Sequence, residues 1–231
     1  MPRDVGVIVV AAGQGTRFPG PIPKQYQPIG GVPLVLWALR PFLAHPDVVR
    51  VVLVLPPPDA ASPPPFLVEL ADERLVLAPG GATRSDSVAA GLCALEAECA
   101  VVVVHDGARP FVERGVIDAV IEHARRGEPA IAAVPLSDTL KEAAAADPSH
   151  IVRTLARERL WRAQTPQAFP RSVLAAAHQR AAAEGRTGTD DAELVEWSGV
   201  PVRLVPDSTR NLKITTPEDL ALAELMAGSG S

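Results

Sequence analysis

The sequence predicts an α/β fold: a mostly parallel central sheet with helices on both faces and a projecting β-hairpin arm. Three observations carry this. Apolar, β-branched runs of strand length recur along the chain, helical patterns separate them, and one polar segment, 137–155, interrupts the alternation. Strands apolar on both faces are what a parallel sheet covered by helices requires.

Taken in order, the expected strands are Val5–Val10, Val48–Leu55, Leu75–Leu77, Ala100–His105, Ala130–Val134 and Val202–Val205. Helices are expected over Leu34–Ala44, Pro65–Leu70, Asp86–Glu96, Arg114–Arg126, Arg171–Glu184, Asp190–Ser198 and Pro217–Met226. Pro41 should kink or shorten the first helix, because it lacks an N–H and crowds the preceding turn. Val88, Leu92 and Leu95 share one face of the Asp86 helix. The last helix has Thr216 as its N-cap, Pro217 in its first position and acids in its first turn, all strong start signals. The Pro-rich stretch from Pro56 to Pro65 reads as a surface loop. Residues 1–227 are expected to form one domain and 228–231 a flexible tail.

The irregular segment pairs Ser137–Glu142 with His150–Leu155 across an Ala-rich turn ending Asp147-Pro148. A lone two-stranded hairpin is marginal in water, so this arm is expected to pack on a second subunit. Its exposed length makes 137–155 the candidate for dimerisation.

Composition narrows the function. The chain has 231 residues, 47% of them hydrophobic and 21% charged, which suits a full globular core rather than a disordered or coiled-coil chain. The net charge of −5 argues against a general nucleic-acid binder, which needs a basic surface. Cys93 and Cys99 lack metal-ligand spacing and read as reduced thiols of a cytoplasmic protein. Met1-Pro2-Arg3-Asp4 lacks the long apolar run and cleavage site of a signal peptide and Val5–Val10 is too short to span a membrane, so neither a signal peptide nor a membrane span is expected here.

Chemistry concentrates in three clusters. The first is Val9-Val10-Ala11-Ala12-Gly13-Gln14-Gly15-Thr16-Arg17-Phe18, followed by Pro23-Lys24-Gln25. A strand runs into small residues, whose backbone N–H groups can approach an anion without obstruction. Arg17 and Lys24 are spaced to reach back over that loop. The arrangement suits a nucleoside triphosphate, with backbone donors on the phosphates and cations against the charge that develops in transfer. It is no Walker loop, and Phe18 stands where a dinucleotide fingerprint needs its third glycine. A tight strand-to-helix turn with solvated cations is the plainer alternative.

The second cluster is Gly80-Gly81-Ala82-Thr83-Arg84-Ser85-Asp86-Ser87, a glycine turn into a helix start that places Arg84 and Ser87 where donors face a ligand. By itself it also reads as an ordinary helix cap. The third is His105-Asp106-Gly107-Ala108-Arg109-Pro110, directly after a four-valine strand. An acid at the C-terminal end of a central parallel strand sits where open α/β sheets bind ligands. Asp106 suits Mg²⁺, a hard cation that takes carboxylate and phosphate oxygens; it also reads as a turn cap paired with Arg109. His105 reads as a packed or hydrogen-bonded histidine rather than a base.

These motifs belong together. A-A-G-x-G-x-R-F, P-K-Q-Y, G-G-x-x-R-x-x-S-V, H-D-x-A-R-P, D-T-x-K, T-P-Q-x-F, T-D-D and N-x-K-I-T-x-P-E-D-L run in one order over residues 5 to 226. The pattern resembles the 2-C-methyl-D-erythritol 4-phosphate cytidylyltransferase family of the non-mevalonate isoprenoid pathway. The resemblance implies a Rossmann-like nucleotidyltransferase fold, CTP and methylerythritol phosphate as substrates, Mg²⁺ as cofactor, and a homodimer joined through a β-arm. It implies that Arg17 and Lys24 stabilise the transition state. It puts Ala11, Ala12, Gly13, Gly15, Gly80, Arg84, Ser87 and Asp106 on the nucleotide, with Asp106 also on the metal. Arg109, Thr165, Thr189 and Lys213 would line the sugar-phosphate site, with Thr139 and Arg157 reaching it across the dimer. Gly107 stands where some relatives carry Ala, a change of small size. Arg210 precedes Asn211, and no second metal ligand is assigned beside Asp106. The alternatives are a ribitol 5-phosphate cytidylyltransferase, which would share the triphosphate motifs, and a catalytically silent nucleotide-binding subunit, against which the retention of Arg17 and Lys24 counts.

Overall fold

The computed structural model describes residues 3–13, 15, 18, 20–95 and 99–228. Its strands are β1 (Val5–Val10), β2 (Pro28–Ile29), β3 (Val32–Pro33), β4 (Val48–Leu55), β5 (Leu75–Pro79), β6 (Val101–Asp106), β7 (Ala130–Pro135), β8 (Lys141–Ala143), β9 (Ile151–Thr154), β10 (Trp161–Pro170) and β11 (Arg203–Pro206). Its helices are α1 (Leu34–Leu43), α2 (Pro57–Ala61), α3 (Pro65–Val68), α4 (Arg84–Ala94), α5 (Arg114–Arg125), α6 (Arg171–Ala183), α7 (Asp191–Trp197) and α8 (Pro217–Gly228).

Seven strands form the main sheet in the order β11-β7-β10-β6-β1-β4-β5. All neighbours are parallel except β10, which runs antiparallel to both β6 and β7. Both faces are covered, as the apolar strands require. Val7, Val9, Leu53 and Val103 pack with Leu39, Phe42, Ile117 and Ile121 on the side of α1 and α5. Ile8, Val52, Val54 and Val104 pack with Val88, Leu92, Leu174 and Leu194 on the side of α4, α6 and α7. Alternate residues of β1 thus feed opposite cores, the period-2 consequence of a strand buried on both faces. Gly91 lets α4 lie close on β1, since a Cβ there would fall 2.5 Å from Ile8 Cγ2.

Three expectations need correcting. The Pro56–Pro65 stretch contains the short helix α2, with Pro56 as its N-cap and proline in its first turn, where a missing N–H costs nothing. Pro41 lies inside α1, which runs on for only two more residues, to Leu43, so the expected break amounts to a one-residue shortening. The strand β10 has no counterpart among the expected strands: in Trp161–Pro170 the polar–apolar alternation stops after Gln164, the segment contains two prolines, and its pairing shifts register between Ala163 and Gln167. The two-residue strands β2 and β3 likewise have no counterpart among the expected strands, and the other main-sheet strands and the longer helices match within a few residues. Thr83 and Asp86 form a reciprocal capping box at the start of α4, and Thr216 caps α8 through the Asp219 N–H. Gly228, placed in the tail by sequence, is the last residue of α8; residues 229–231 lie outside the described residues.

The expected hairpin is present as β8 paired antiparallel with β9, with one register shift at Glu142/Ala143. All seven positions of the two strands are exposed to solvent in the isolated chain.

The chain runs outward from β1 through β4 to β5, then returns to β6 on the other side of β1. Strand order therefore reverses at the β1/β6 boundary. Open α/β sheets bind their ligands at such a reversal, beyond the carboxyl ends of the strands.

Candidate active site

Four parallel strands end together at this edge. Val10 is in register with Val54 on one side and Asp106 on the other, and Leu55 with Pro79. The loops that follow are pinned by backbone bonds: Ala11 N–H to Val54 O at 2.8 Å, Gly80 N–H to Leu55 O at 2.8 Å and Gly107 N–H to Val10 O at 2.9 Å. Between them opens a cavity of about 670 Å³ lined by Ala11, Ala12, Gly13, Lys24, Gly81, Arg84, Ser87, Asp106 and Lys213, with Pro56–Pro58 at its rim.

The small residues are needed for this packing. A Cβ at Gly80 would lie 2.3 Å from Ala12 Cβ, and one at Gly81 would lie 2.3 Å from Asp86 Cβ. At Gly107 it would lie 2.9 Å from Ala11 Cβ and 3.1 Å from Val10 O. That position is tighter than its small size suggested, and an alanine there would need the β1 loop to shift. Gly15 adopts φ +58°, a left-handed conformation, with Lys24 Cβ 3.0 Å from where its own Cβ would be. Gln14, Thr16, Arg17 and Pro19 lie outside the described residues, so the candidate catalytic Arg17 has no described position.

Lys24 begins a single 3-10 turn, Lys24–Tyr26, and its Nζ donates to Ile214 O at 3.1 Å. This bond ties the first cluster to the segment that carries Lys213. Ser87 stitches the second cluster: its Oγ donates to Thr83 O at 3.0 Å and accepts from Gly81 N–H at 3.2 Å.

Asp106 is the electrostatic centre. Lys213 Nζ lies 2.8 Å from its Oδ2, Arg84 Nε 3.4 Å from its Oδ1 and Arg109 Nε 3.6 Å from its Oδ2. Burial alone would raise its pKa, but Lys213, Arg84 and Arg109 outweigh that and hold the carboxyl well below the usual range. It is therefore ionised at every working pH.

Arg109 is buried and donates through Nη1 to Asn211 O at 2.7 Å. His105 Nε2 is 3.0 Å from Arg109 O, a carbonyl that can only accept, so Nε2 carries the proton. Its Nδ1 is then an acceptor, and the Thr165 hydroxyl donates to it at 3.0 Å while accepting the Asp106 N–H at 3.0 Å. Burial pushes the His105 pKa down to about 4, so the ring stays neutral. His105 is thus hydrogen-bonded at both nitrogens, as its sequence context suggests. Thr165 sits against Asp106, but its hydroxyl proton is committed to the histidine. Thr189 is exposed and donates from both N–H and Oγ1 to Glu193 Oε2, at 2.7 and 2.8 Å.

The hairpin residues stand apart. Thr139 and Arg157 are exposed and do not line the cavity of the single chain, and Arg157 Nη1 donates to Ser137 O. Residues that the motifs do not single out complete the frame. Asn211, 1% exposed, donates through Nδ2 to Thr165 O at 2.8 Å and to Asp207 at 2.6 Å, and Gln164 Nε2 donates to Asn211 O at 3.0 Å. Asn211 opens the same N-x-K motif that flagged Lys213, so its signal was available.

A family model described as 2-C-methyl-D-erythritol 4-phosphate cytidylyltransferase, IspD, matches residues 5–229. The chain belongs to the IspD family. Among curated relatives, the 2-C-methyl-D-erythritol 4-phosphate cytidylyltransferase of Syntrophus aciditrophicus is 43% identical over 97% of this chain and 96% of its own length. The corresponding enzyme of Pelotomaculum thermopropionicum is 44% identical over 95% and 92%. A crystal structure of the enzyme from Thermus thermophilus superposes with a TM-score of 0.80 at 37% identity, covering 97% of this chain and 99% of that one. As a member of the IspD family the chain is a nucleotidyltransferase, a cytidylyltransferase acting on 2-C-methyl-D-erythritol 4-phosphate in isoprenoid biosynthesis. Of the residues that the motifs point to, Ala11, Ala12, Gly13, Lys24, Arg84, Ser87, Asp106 and Lys213 line the cavity at the β1/β6 reversal, whereas Gly80, Arg109, Thr165 and Thr189 do not.

Proposed function

We propose that this cavity binds CTP and Mg²⁺ and that the 4-phosphate of methylerythritol phosphate attacks the α-phosphorus in line, releasing pyrophosphate. The observation that carries the reading is the ring of cations, Lys213, Arg84 and Arg109, around an ionised Asp106 beside a loop of small residues. Phosphoryl chemistry asks little covalent work of a protein. It needs reactants aligned and the charge on the phosphorus neutralised. The attacking phosphate oxygen is already anionic, so no general base is required. Arg17 and Lys24 neutralise the developing charge, and Lys24 is held against the loop through its bond to Ile214. Arg109, Lys213 and Thr189 hold the sugar phosphate, while Thr165 fixes Asp106 beside it.

Asp106 fits a hard cation carried mainly by the triphosphate, since Mg²⁺ is commonly held by one or two carboxylates plus substrate phosphates. Among the described residues no group of three or more His, Cys, Asp or Glu side chains could hold a metal by itself, which agrees with a substrate-borne ion. When bound, the ion supplies Lewis-acid stabilisation of the phosphate charge.

The active form is a homodimer in which the hairpin embraces the partner and brings Thr139 and Arg157 to its sugar-phosphate site. The support is the exposure of Ile151 and Val152, 64% and 60%, on a hairpin with little to pack against in one chain. The enzyme works in the cytoplasm; among the described residues no helix is long and apolar enough to cross a membrane.

The test is pyrophosphate release with each of the four triphosphates, crossed with methylerythritol phosphate and ribitol 5-phosphate, with and without Mg²⁺. CTP with methylerythritol phosphate should lead by about 100-fold in kcat/KM, about 3 kcal/mol of differential binding. Equal turnover with ATP, or with ribitol phosphate, would overturn the assignment.

A further inference from the structure

Behind the nucleotide cavity lies a second carboxylate that the chemistry above does not use. Asp191, at the start of α7, is 1% exposed and does not line the cavity. One of its oxygens, Oδ2, accepts from Arg84 Nη1 at 2.7 Å, and the other accepts from His178 Nε2 of α6 at 3.0 Å. Arg84 therefore stands between two acids. Asp106 faces it in the cavity, 3.4 Å from Nε, and Asp191 holds it from the rear.

The rear acid is fixed on both flanks. Asp190 accepts the Glu193 N–H at 2.9 Å and Gln167 Nε2 at 2.8 Å, while the Ala192 N–H donates to Gln167 Oε1 at 3.2 Å. With its neighbours bolted to β10 through Gln167, Asp191 has no freedom to follow the guanidinium. Burial would raise its pKa, but Arg84 and His178 more than offset this, so it is charged. The remaining guanidinium nitrogen, Nη2, is buried and has no hydrogen-bond partner among the described residues. A buried donor left unpaired is costly, and its usual explanation is a group that arrives with a ligand.

We propose that Asp191 is a positioning residue for the nucleotide site, holding the Arg84 guanidinium in its binding pose, with His178 as the anchor. This rests on the reading of Arg84 as a CTP ligand. A free arginine loses rotamer entropy when a ligand orders it, and a carboxylate behind it removes that cost before binding. Without the rear charge the guanidinium has one acid left. It then turns onto Asp106, where it competes with Lys213 and with the metal.

The experiment is a double-variant cycle, Asp191→Asn with Arg84→Ala, measuring KM for both substrates, kcat and thermal unfolding. Asp191→Asn should raise KM for CTP about tenfold, the scale on which residues behind a ligand act, and leave KM for methylerythritol phosphate within twofold. In the Arg84→Ala background it should change KM for CTP no further. A loss of thermal stability with KM for CTP unchanged, or effects that multiply in the double variant, overturns the proposal. If Arg84→Ala itself leaves KM for CTP unchanged, the nucleotide role of Arg84 fails, an outcome distinct from a silent Asp191→Asn beside an impaired Arg84→Ala. Should Asp191→Asn not fold, His178→Phe removes only the donor to Oδ1 and enters the same cycle. It should raise KM for CTP about threefold, and that effect too should vanish without Arg84; an effect that persists overturns the proposal.

Discussion

Replacing Thr165 with valine separates two roles for one hydroxyl. The family motif puts Thr165 at the sugar phosphate, whereas the structure commits its proton to His105 Nδ1 and its lone pair to the Asp106 N–H. Valine keeps the shape and deletes both bonds. His105 is fully buried, Asp106 is 7% exposed and Thr165 is 4% exposed, so water is poorly placed to replace the hydroxyl. Each buried polar group left unpaired costs about 1–3 kcal/mol, which puts the loss near 3 kcal/mol for the two. In a chain of this size 1 kcal/mol moves Tm by about 2–4 °C, so Thr165→Val should melt about 6–12 °C lower. Thermal unfolding at pH 7.5 with paired steady-state kinetics is the assay. Thr165→Ser, which keeps the hydroxyl, should recover most of the stability. KM for the two substrates should rise together, because the bond lost is one that fixes Asp106. A valine variant of unchanged stability, with KM raised for methylerythritol phosphate alone, would show that the hydroxyl serves the substrate and that its bond to His105 is incidental.

Acid should weaken the fold before any buried carboxylate titrates. His105 has its pKa lowered by burial from 6.5 to about 4, so the unfolded chain binds this proton first; the stability is complete above about pH 6.5 and falls as pH drops toward 4, by about 3 kcal/mol in all. His45, lowered by burial in the same sense, adds to the trend, and a urea midpoint that is flat between pH 7 and 4 would contradict both. Lys24→Ala should lower kcat on the order of 100-fold with a much smaller change in CTP affinity, as expected of a preorganised donor; a change in KM alone would make it a ground-state ligand. Arg157→Ala and Lys213→Ala homodimers should each be nearly inactive, whereas their isolated heterodimer, with both lesions in one site, should recover about half of wild-type turnover. A heterodimer as inactive as its parents would show that Arg157 does not serve the partner's site.

What the sequence makes legible follows from locality. The loops after Val10, Pro79 and Asp106 could be read because each combines a strand end, small residues and a charge within a few positions. Lys213 emerged because its motif is contiguous. The pairing of Arg84 with Asp191, 107 positions away, has no local signal, since it exists only once α4 and α7 pack on the same face. β10 was hidden for a different reason. It is buried between β6 and β7 yet carries Gln164, Thr165 and Gln167, whose polar groups bond to neighbouring segments rather than alternating with apolar ones. The short helix α2 was masked by prolines that usually mark loops and here start a turn. The hairpin showed itself by breaking the βα rhythm, but nothing in its residues says what lies against it.

The antiparallel strand also bears on the order in which the molecule comes together. β1, β4, β5 and β6 pair with one another without any help from β10, and the loops that follow them form much of the cavity wall. β10 must slot between β6 and β7, and the chain between it and β6 includes α5, β7 and the whole hairpin. Closing so long a loop costs entropy before any contact rewards it, and pairings of this kind are slow. A refolding chain should therefore regain most of its sheet before it regains full affinity for nucleotide, because Thr165 on β10 and Asp191, braced through Gln167, reach the site only once β10 has seated.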